Sequence, residues 1–348
     1  MRRLTKIAGA ALVVALTATA CSSDGDDQTG AGDQLCPAEG DGPKIGLAYD
    51  VGGRGDRSFN DLAAAGVTQS VDELDATCTE LAATANEPAT ARAERLRQLA
   101  EEGHDPIVAA GFVYTPEVTE VAGEYPETSF AVVDGAAEGD NVTNLSFAPQ
   151  EGSFLVGVAA GLKTETDQVG FIGGVENFII IPFAAGFEAG VEAVNPDATV
   201  EYRWLSDEGD DTAFNNAPGG ETAANALYDG GADIVFHAAG GSGAGLFTAA
   251  EEQDKLAIGV DSDQYLSAPE SQQEHILTSA LKRVDVAVFE FVQAFVEGDV
   301  TTGFDVYDLA RDGVGYATSG GQLDDIEDEL EDYRQQIVDG EIEVPSEF

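Results

Sequence analysis

From Lys44 onward, short apolar runs of strand length alternate with longer stretches whose apolar positions recur every three or four residues. The runs "KIGLAY", "CTELAAT", "PIVAAG", "TSFAVVD" and "NVTNLSF", then "DQVGFIGG", "TVEYRWL", "ADIVFHA" and "LAIGVD", are rich in aliphatic and β-branched residues and predict strands. Between them the helical period predicts helices over residues 62–74, 89–102, 115–123, 152–162, 182–194, 219–228 and 246–253. In the second of these, Leu96, Leu99 and Ala100 share a face and Gly103 ends the pattern. Strands apolar on both faces and separated by helices indicate parallel sheets covered on either side, an α/β architecture.

The series restarts near Gln168, and the chain from Lys44 is too long for one such sheet, so two doubly wound lobes are expected. No strong repeat links the halves. "ILTSAL", the helix after it and "GFDVYDLA" read as chain passing back between lobes, which makes each lobe discontinuous. The expected division is 44–148 with about 265–300 in lobe one, and 149–264 with about 301–348 in lobe two.

Ahead of the domain, Arg2, Arg3 and Lys6 precede an apolar stretch over residues 7–20, which is too short for a membrane-spanning helix and of signal-peptide length. "LTATA" runs into Cys21, the arrangement of a bacterial lipoprotein cleavage and lipidation site, although Ala18 stands where leucine is commoner. The segment 1–20 is therefore expected to be a signal peptide, and 21–43, with "SSDGDDQTGAGDQ", an acidic disordered tether. This places the domain outside the cytoplasm, lipid-anchored at Cys21. Beyond Cys21 only Cys36 and Cys78 remain, and in an oxidising compartment they either pair or stay as two buried thiols.

Charge narrows the partners. The chain carries 65 acidic and 16 basic residues, a formal net charge of −49, which repels nucleic acid, anionic lipid and anionic substrates. Such a surface suits a saline medium that screens self-repulsion. With 43% hydrophobic residues there is still ample material for a core.

The loop "DVGGRGDRSFND" follows the first strand and poses the main chemical question. Its glycines approach G-x-G-x-x-G without the third glycine, Asp56 would face a phosphate, and no G-x-x-x-x-G-K-[ST] occurs in the chain. "HAAGGSGAGLF", containing Gly240, lets a ligand approach backbone closely but has no G-x-S-x-G, so Ser242 is no elbow nucleophile. His104, His237 and His275 lack metal-ligand spacing and read as packing residues, and no metal or cofactor is expected. Asp50, Asp134 and Asp261 each close a strongly apolar strand, where open α/β sheets bind ligands. Carboxylates there can grip a vicinal diol or act as acid and base on a glycosidic bond. Phe59 and Phe214 lie in polar loops where a ring could stack on a base. Lys282, one of five lysines, follows "ILTSAL" where it could pair with strand-end aspartates or donate to a ligand.

Taken together, "DVGGRGDRSFND", "AVVDG", "PQEGSFLVGVAAGL", "VGFIGG" with "FAAGFEAGV", "GADIVFHAAGGSGAGLF", "AIGVDSDQ" and "ILTSALKRVDVAVFE" closely resemble the basic membrane protein family. Its members are purine-nucleoside-receptor-like lipoproteins, the substrate-binding components of ABC importers. The likeness runs from about Lys44 to "DGEIEVP". It implies a type I periplasmic-binding-protein fold whose lobes close on a nucleoside by hinge bending, without chemistry, in partnership with a permease and an ATPase. By position it implies ligand-binding roles for Asp50, Phe59, Asn60, Asp134, Gly240, Asp261 and Lys282, with Phe214 as the second stacking aromatic and Phe183 in reserve. The chain departs from the family at "VENFIIIPF", which affects base preference and any contact at Phe178. A free sugar or other small polar solute is the alternative ligand, and a surface nucleoside hydrolase using the aspartates is the alternative class.

Overall fold

The computed structural model describes residues 36–37, 39–84, 87–207 and 209–348. Residues 1–20, and with them Cys21, lie outside the described residues. The first sheet takes β1 (Lys44–Ala48), β2 (Thr77–Leu81), β3 (Ile107–Ala110), β4 (Phe130–Val133) and β5 (Val142–Phe147) in the spatial order 5-4-3-1-2. Helices α1 (Phe59–Leu74), α2 (Ala89–Glu101) and α3 (Thr115–Glu124) wind it. The second takes β6 (Gln168–Val175), β7 (Thr199–Ser206), β8 (Ile234–Ala238) and β9 (Leu256–Asp261) in the order 9-8-6-7. It is wound by α4 (Pro149–Lys163), α5 (Ile181–Val194), α6 (Ala217–Gly230) and α7 (Gly243–Gln253). Each strand and helix expected from the periodicity is present, with ends moved by a few residues.

The strands are parallel because the connections, helical except between β4 and β5, return the chain to the same end of the sheet. Both faces are then covered, which explains the continuous apolar runs: all four residues of β3 and of β4 are buried. On the first sheet, Ile45, Leu47 and Val133 face a core with Val67 of α1, while Ile107, Val132 and Phe130 face Leu96, Leu99 and Val118 of α2 and α3.

The carboxyl-terminal third departs from the expected division. After the short helices α8 (Gln264–Ser267) and α9 (Glu270–Gln273), β10 (Ile276–Lys282) pairs in parallel with β9 and therefore belongs to the second sheet. Its interrupting polar residues are satisfied inside that lobe, Thr278 Oγ1 donating to Ala317 O at 2.6 Å and Ser279 Oγ accepting from Gln264 N at 3.1 Å. Helix α10 (Val284–Glu297) then crosses to pack on α1, and β11 (Gly303–Tyr307) adds in parallel to β5 at the edge of the first sheet. The chain returns for β12 (Val314–Tyr316), antiparallel to β10, and α11 (Glu327–Val338). Lobe one thus gains residues 284–307 and lobe two keeps 265–282 and 314–348, where the sequence pattern had placed 265–300 in lobe one and 301–348 in lobe two. Three connections, after β5, β10 and β11, join the lobes.

Of the segment 21–43 expected to be an acidic tether, residues 21–35 lie outside the described residues, and the described ones at its end are fixed to the domain. Cys36 is bonded to Cys78 of β2, Gly42 N donates to Asp75 O at 2.9 Å, and Asp41 N donates to the Asp75 carboxylate at 2.9 Å.

In each sheet the winding reverses between two central strands, β1 and β3 in lobe one, β6 and β8 in lobe two. Such switch points leave a crevice at the carboxyl ends of the strands. Here the loops after all four strands contribute to one cleft between the lobes.

Candidate functional site

Asp50 follows β1, and the turn after it is built by its neighbours. Asn60 Oδ1 accepts from Asp50 N at 3.2 Å, and Asp50 Oδ1 accepts from Val51 N at 2.6 Å. Across the switch point, Gly111 has a φ of 104°, and a Cβ there would overlap the Asp50 carboxylate, so glycine is required for the carboxylate to sit against the β3 loop. Asp56 is half-buried and closes the same loop: its carboxylate accepts from the backbone amides of Ser58 (3.0 Å), Asn60 (2.8 Å) and Asp61 (3.1 Å) and from Asn60 Nδ2 (3.0 Å). Burial raises its pKa, and those amides pull it back down. Asp56 therefore holds Phe59 and Asn60 at the start of α1.

Asp134 and Asp261 occupy corresponding places at the ends of β4 and β9, in the left-handed region at φ 59° and 64°, which aspartate tolerates better than most residues. Lys282, the last residue of β10, crosses the cleft to pair with Asp134, and all three side chains are buried. The ammonium lies 5.1 Å from the ring centroid of Phe59, 5.0 Å from Phe147 and 5.7 Å from Phe183. Asp261 Oδ2 accepts from Ser58 Oγ at 2.5 Å, a second bond across the lobes. Burial pushes the Asp261 pKa up to about 6; Lys282 and Ser58 oppose the shift, and Asp134 and Asp56 add to it.

The cleft bounded by these groups encloses about 610 Å3 counted to its open mouth. Asp50, Phe59, Asn60, Asp134, Phe214, Gly240, Asp261 and Lys282 all line it, and Phe183 lines it together with Phe214. Gly174 leaves the space that the Phe214 ring fills, and Gly240, at φ 53°, passes close to the Phe214 carbonyl. Sequence reasoning did not assign Phe112, Ile179 and Ile180 to the cleft. Their signal was positional, since each follows the carboxyl end of a switch-point strand. Phe178 lies outside the lining and packs its ring on Phe112 at 6.3 Å. His237 sits behind the cleft wall, fully buried, its Nε2 2.9 Å from Gln264 Oε1, with a pKa lowered to about 4 by burial. Among the described residues no group of His, Cys, Asp or Glu is arranged to hold a metal ion.

Chemically, the cleft presents carboxylates as acceptors, one ammonium as donor and aromatic walls. A family model described as "ABC transporter substrate-binding protein PnrA-like", the Bmp family, matches residues 44–347. The chain belongs to the Bmp family. Its members are solute-binding proteins and not enzymes, so the hydrolase reading of the aspartates falls away. A substrate-binding protein of an ABC transporter works with permease and ATPase subunits and takes a small-molecule ligand.

Among Bmp-family relatives, the CD4+ T-cell-stimulating antigen of Listeria innocua is 34% identical over 343 residues, spanning 94% of this chain and 93% of its own. The ABC transporter nucleoside-binding protein BmpA of Lactococcus lactis subsp. cremoris is 30% identical over 319 residues, 87% of this chain and 89% of its own. A crystal structure of a solute-binding protein of an ABC transporter system from Aeropyrum pernix K1 superposes with a TM-score of 0.76 at 26% identity, covering 87% of this chain and 94% of that one. Among the described residues no helix is long and apolar enough to cross a membrane.

Proposed function

We propose that this Bmp-family protein binds a nucleoside in the cleft and closes its two lobes around it by bending at the three connections. The observation that carries the reading is the Asp134–Lys282–Asp261 cluster, with Asp50 beside it, flanked by Phe59, Phe183 and Phe214. Ribose hydroxyls donate to carboxylates, and the base offers a π-face to phenylalanine and a ring acceptor to an ammonium. A phosphate would meet at least three carboxylates and one lysine, so nucleotides are disfavoured. The relative from Lactococcus lactis named as nucleoside-binding supports the same ligand class. Isothermal titration against inosine, guanosine, adenosine and uridine tests this reading; binding to at least one with none to its 5′-monophosphate is expected, and no heat from any of the four removes the proposal. Competition by ribose alone would favour a sugar.

The same reading includes a lipid anchor at Cys21, supported by Arg2, Arg3, Lys6 and the "LTATA" approach. Cys21→Ser is expected to release the protein from the membrane fraction, and a membrane-bound variant counts against the anchor.

A further inference from the structure

Phe178 is one of the large apolar side chains left in solvent, 63% exposed, and it takes no part in lining the cleft. Single exposed apolar residues are ordinary. What separates Phe178 from Leu266 or Phe304, which are also exposed, is that its ring contact crosses between lobes. Phe178 belongs to lobe two, in the turn after β6; Phe112 belongs to lobe one, directly after β3. Their centroids are 6.3 Å apart at an interplanar angle of 77°, and Phe112 makes a second edge contact, 6.3 Å and 72°, with Phe214 of lobe two. The lobe-one ring is therefore held between two lobe-two rings, one outside the cleft and one lining it.

Both rings stand on fixed bases. Asn177 is buried, and its Oδ1 accepts from the amides of Ile179 and Ile180 at 3.0 Å, which turns those two side chains inward and directs Phe178 out. On the other side, Tyr114 is buried and donates its hydroxyl to Tyr49 O at 3.0 Å, pinning the turn that carries Phe112. Rings held this way lose little conformational freedom when they dock.

We infer that Phe178 is a positioning residue for lobe closure: it acts through Phe112, stabilises the closed form without touching the ligand, and so sets how long a ligand stays. The inference rests on the closing motion proposed above and not on which ligand is bound. An edge-to-face ring pair corresponds to roughly a two- to tenfold change in the closed-to-open ratio. The test uses spin labels at Asp140→Cys and Asp229→Cys, one exposed site on each lobe, in a Cys21→Ser background. In ligand-free protein, Phe178→Ala is expected to lower the ratio of short-distance to long-distance populations by that factor and Phe178→Trp to restore it, with no change in melting temperature because the ring is mostly exposed. A distance distribution identical in the Phe178→Ala variant and its parent overturns the inference. Stopped-flow with inosine adds the kinetic readout: dissociation two- to tenfold faster at an unchanged association rate, whereas an equal fall in association makes Phe178 a ligand contact and overturns it too. If the parent binds none of the four nucleosides, the ligand reading fails while the distance measurement still decides this one.

Discussion

Lys282 is the residue on which the cleft depends most. It is buried, pairs with Asp134 and draws down the pKa of Asp261. Removing the ammonium in Lys282→Met leaves a buried carboxylate uncompensated, at a cost of about 3–5 kcal/mol near neutral pH. The defect should shrink on acidification, as protonation removes the unpaired charge; equal melting shifts at pH 7.5 and pH 4.5 would argue against it. Asp261 has the opposite sign from a salt-bridged carboxylate. Its folded pKa, about 6, lies above the ordinary value of 3.8, so the folded state holds the proton more tightly than the unfolded chain. Its contribution to stability is therefore greatest below pH 4 and is lost as pH rises through 6, amounting to up to about 3 kcal/mol. Asp261→Asn is expected to melt higher than the parent at pH 7, to show no such loss between pH 4 and 6, and to bind ligand more weakly; urea titration across that range checks the slope. Asp50, Asp134 and Asp261 could be picked out of 65 acidic residues because each terminates an apolar strand. Asp56 was legible only as a group hostile to phosphate, since its role lies in hydrogen bonds to amides two to five residues onward, which no periodicity encodes.

Among the elements, α4 and α5 make the closest pairing. A Cβ added at Gly157 would overlap Phe187 O, at Gly186 it would overlap Gln150 O, and at Gly190 it would overlap Phe154 O. The motifs "PQEGSFLVGVAAGL" and "FAAGFEAGV" are thus devices for helix contact that build lobe two, and of their residues only Phe183 lines the cleft. Gly190→Ala should cost about 1–3 kcal/mol through overpacking even though alanine favours helix, whereas Gly123→Ala in α3, with open space around it, should gain up to about 1 kcal/mol. Chemical denaturation of both variants checks the contrast. The Cys36–Cys78 bond closes a loop of 42 residues, and replacing both by serine should lower stability by about 2–4 kcal/mol. The central strands β1, β3, β4, β6, β8 and β9 were readable because burial on both faces makes them almost uniformly apolar, and the partly exposed edge strands β2 and β7 by their β-branched and aromatic residues. Strand β11 was not: as an edge strand it leaves Phe304 and Val306 exposed between less apolar neighbours and looks like linker, while β10 hid behind Thr278 and Ser279, whose hydroxyls are satisfied only by tertiary partners.

At the scale of the molecule, a net charge of −49 sets the two lobes in mutual repulsion, and cross-lobe contacts such as Lys282 with Asp134 and Ser58 with Asp261 work against it. Salt screens that repulsion over distances beyond about 10 Å at 0.1 M while leaving buried pairs nearly untouched. The melting temperature should therefore rise between 0.1 M and 2 M NaCl; a steady fall would mean that exposed pairs such as Arg97 with Glu120 and Glu124 outweigh the repulsion. The threefold passage of the chain between lobes carries a further corollary for its genetics. No contiguous stretch of the gene encodes either half. A stop codon just after Glu297 would strip β11 from one sheet and β12 and α11 from the other, so a lesion confined to the codons beyond that point would injure both lobes at once.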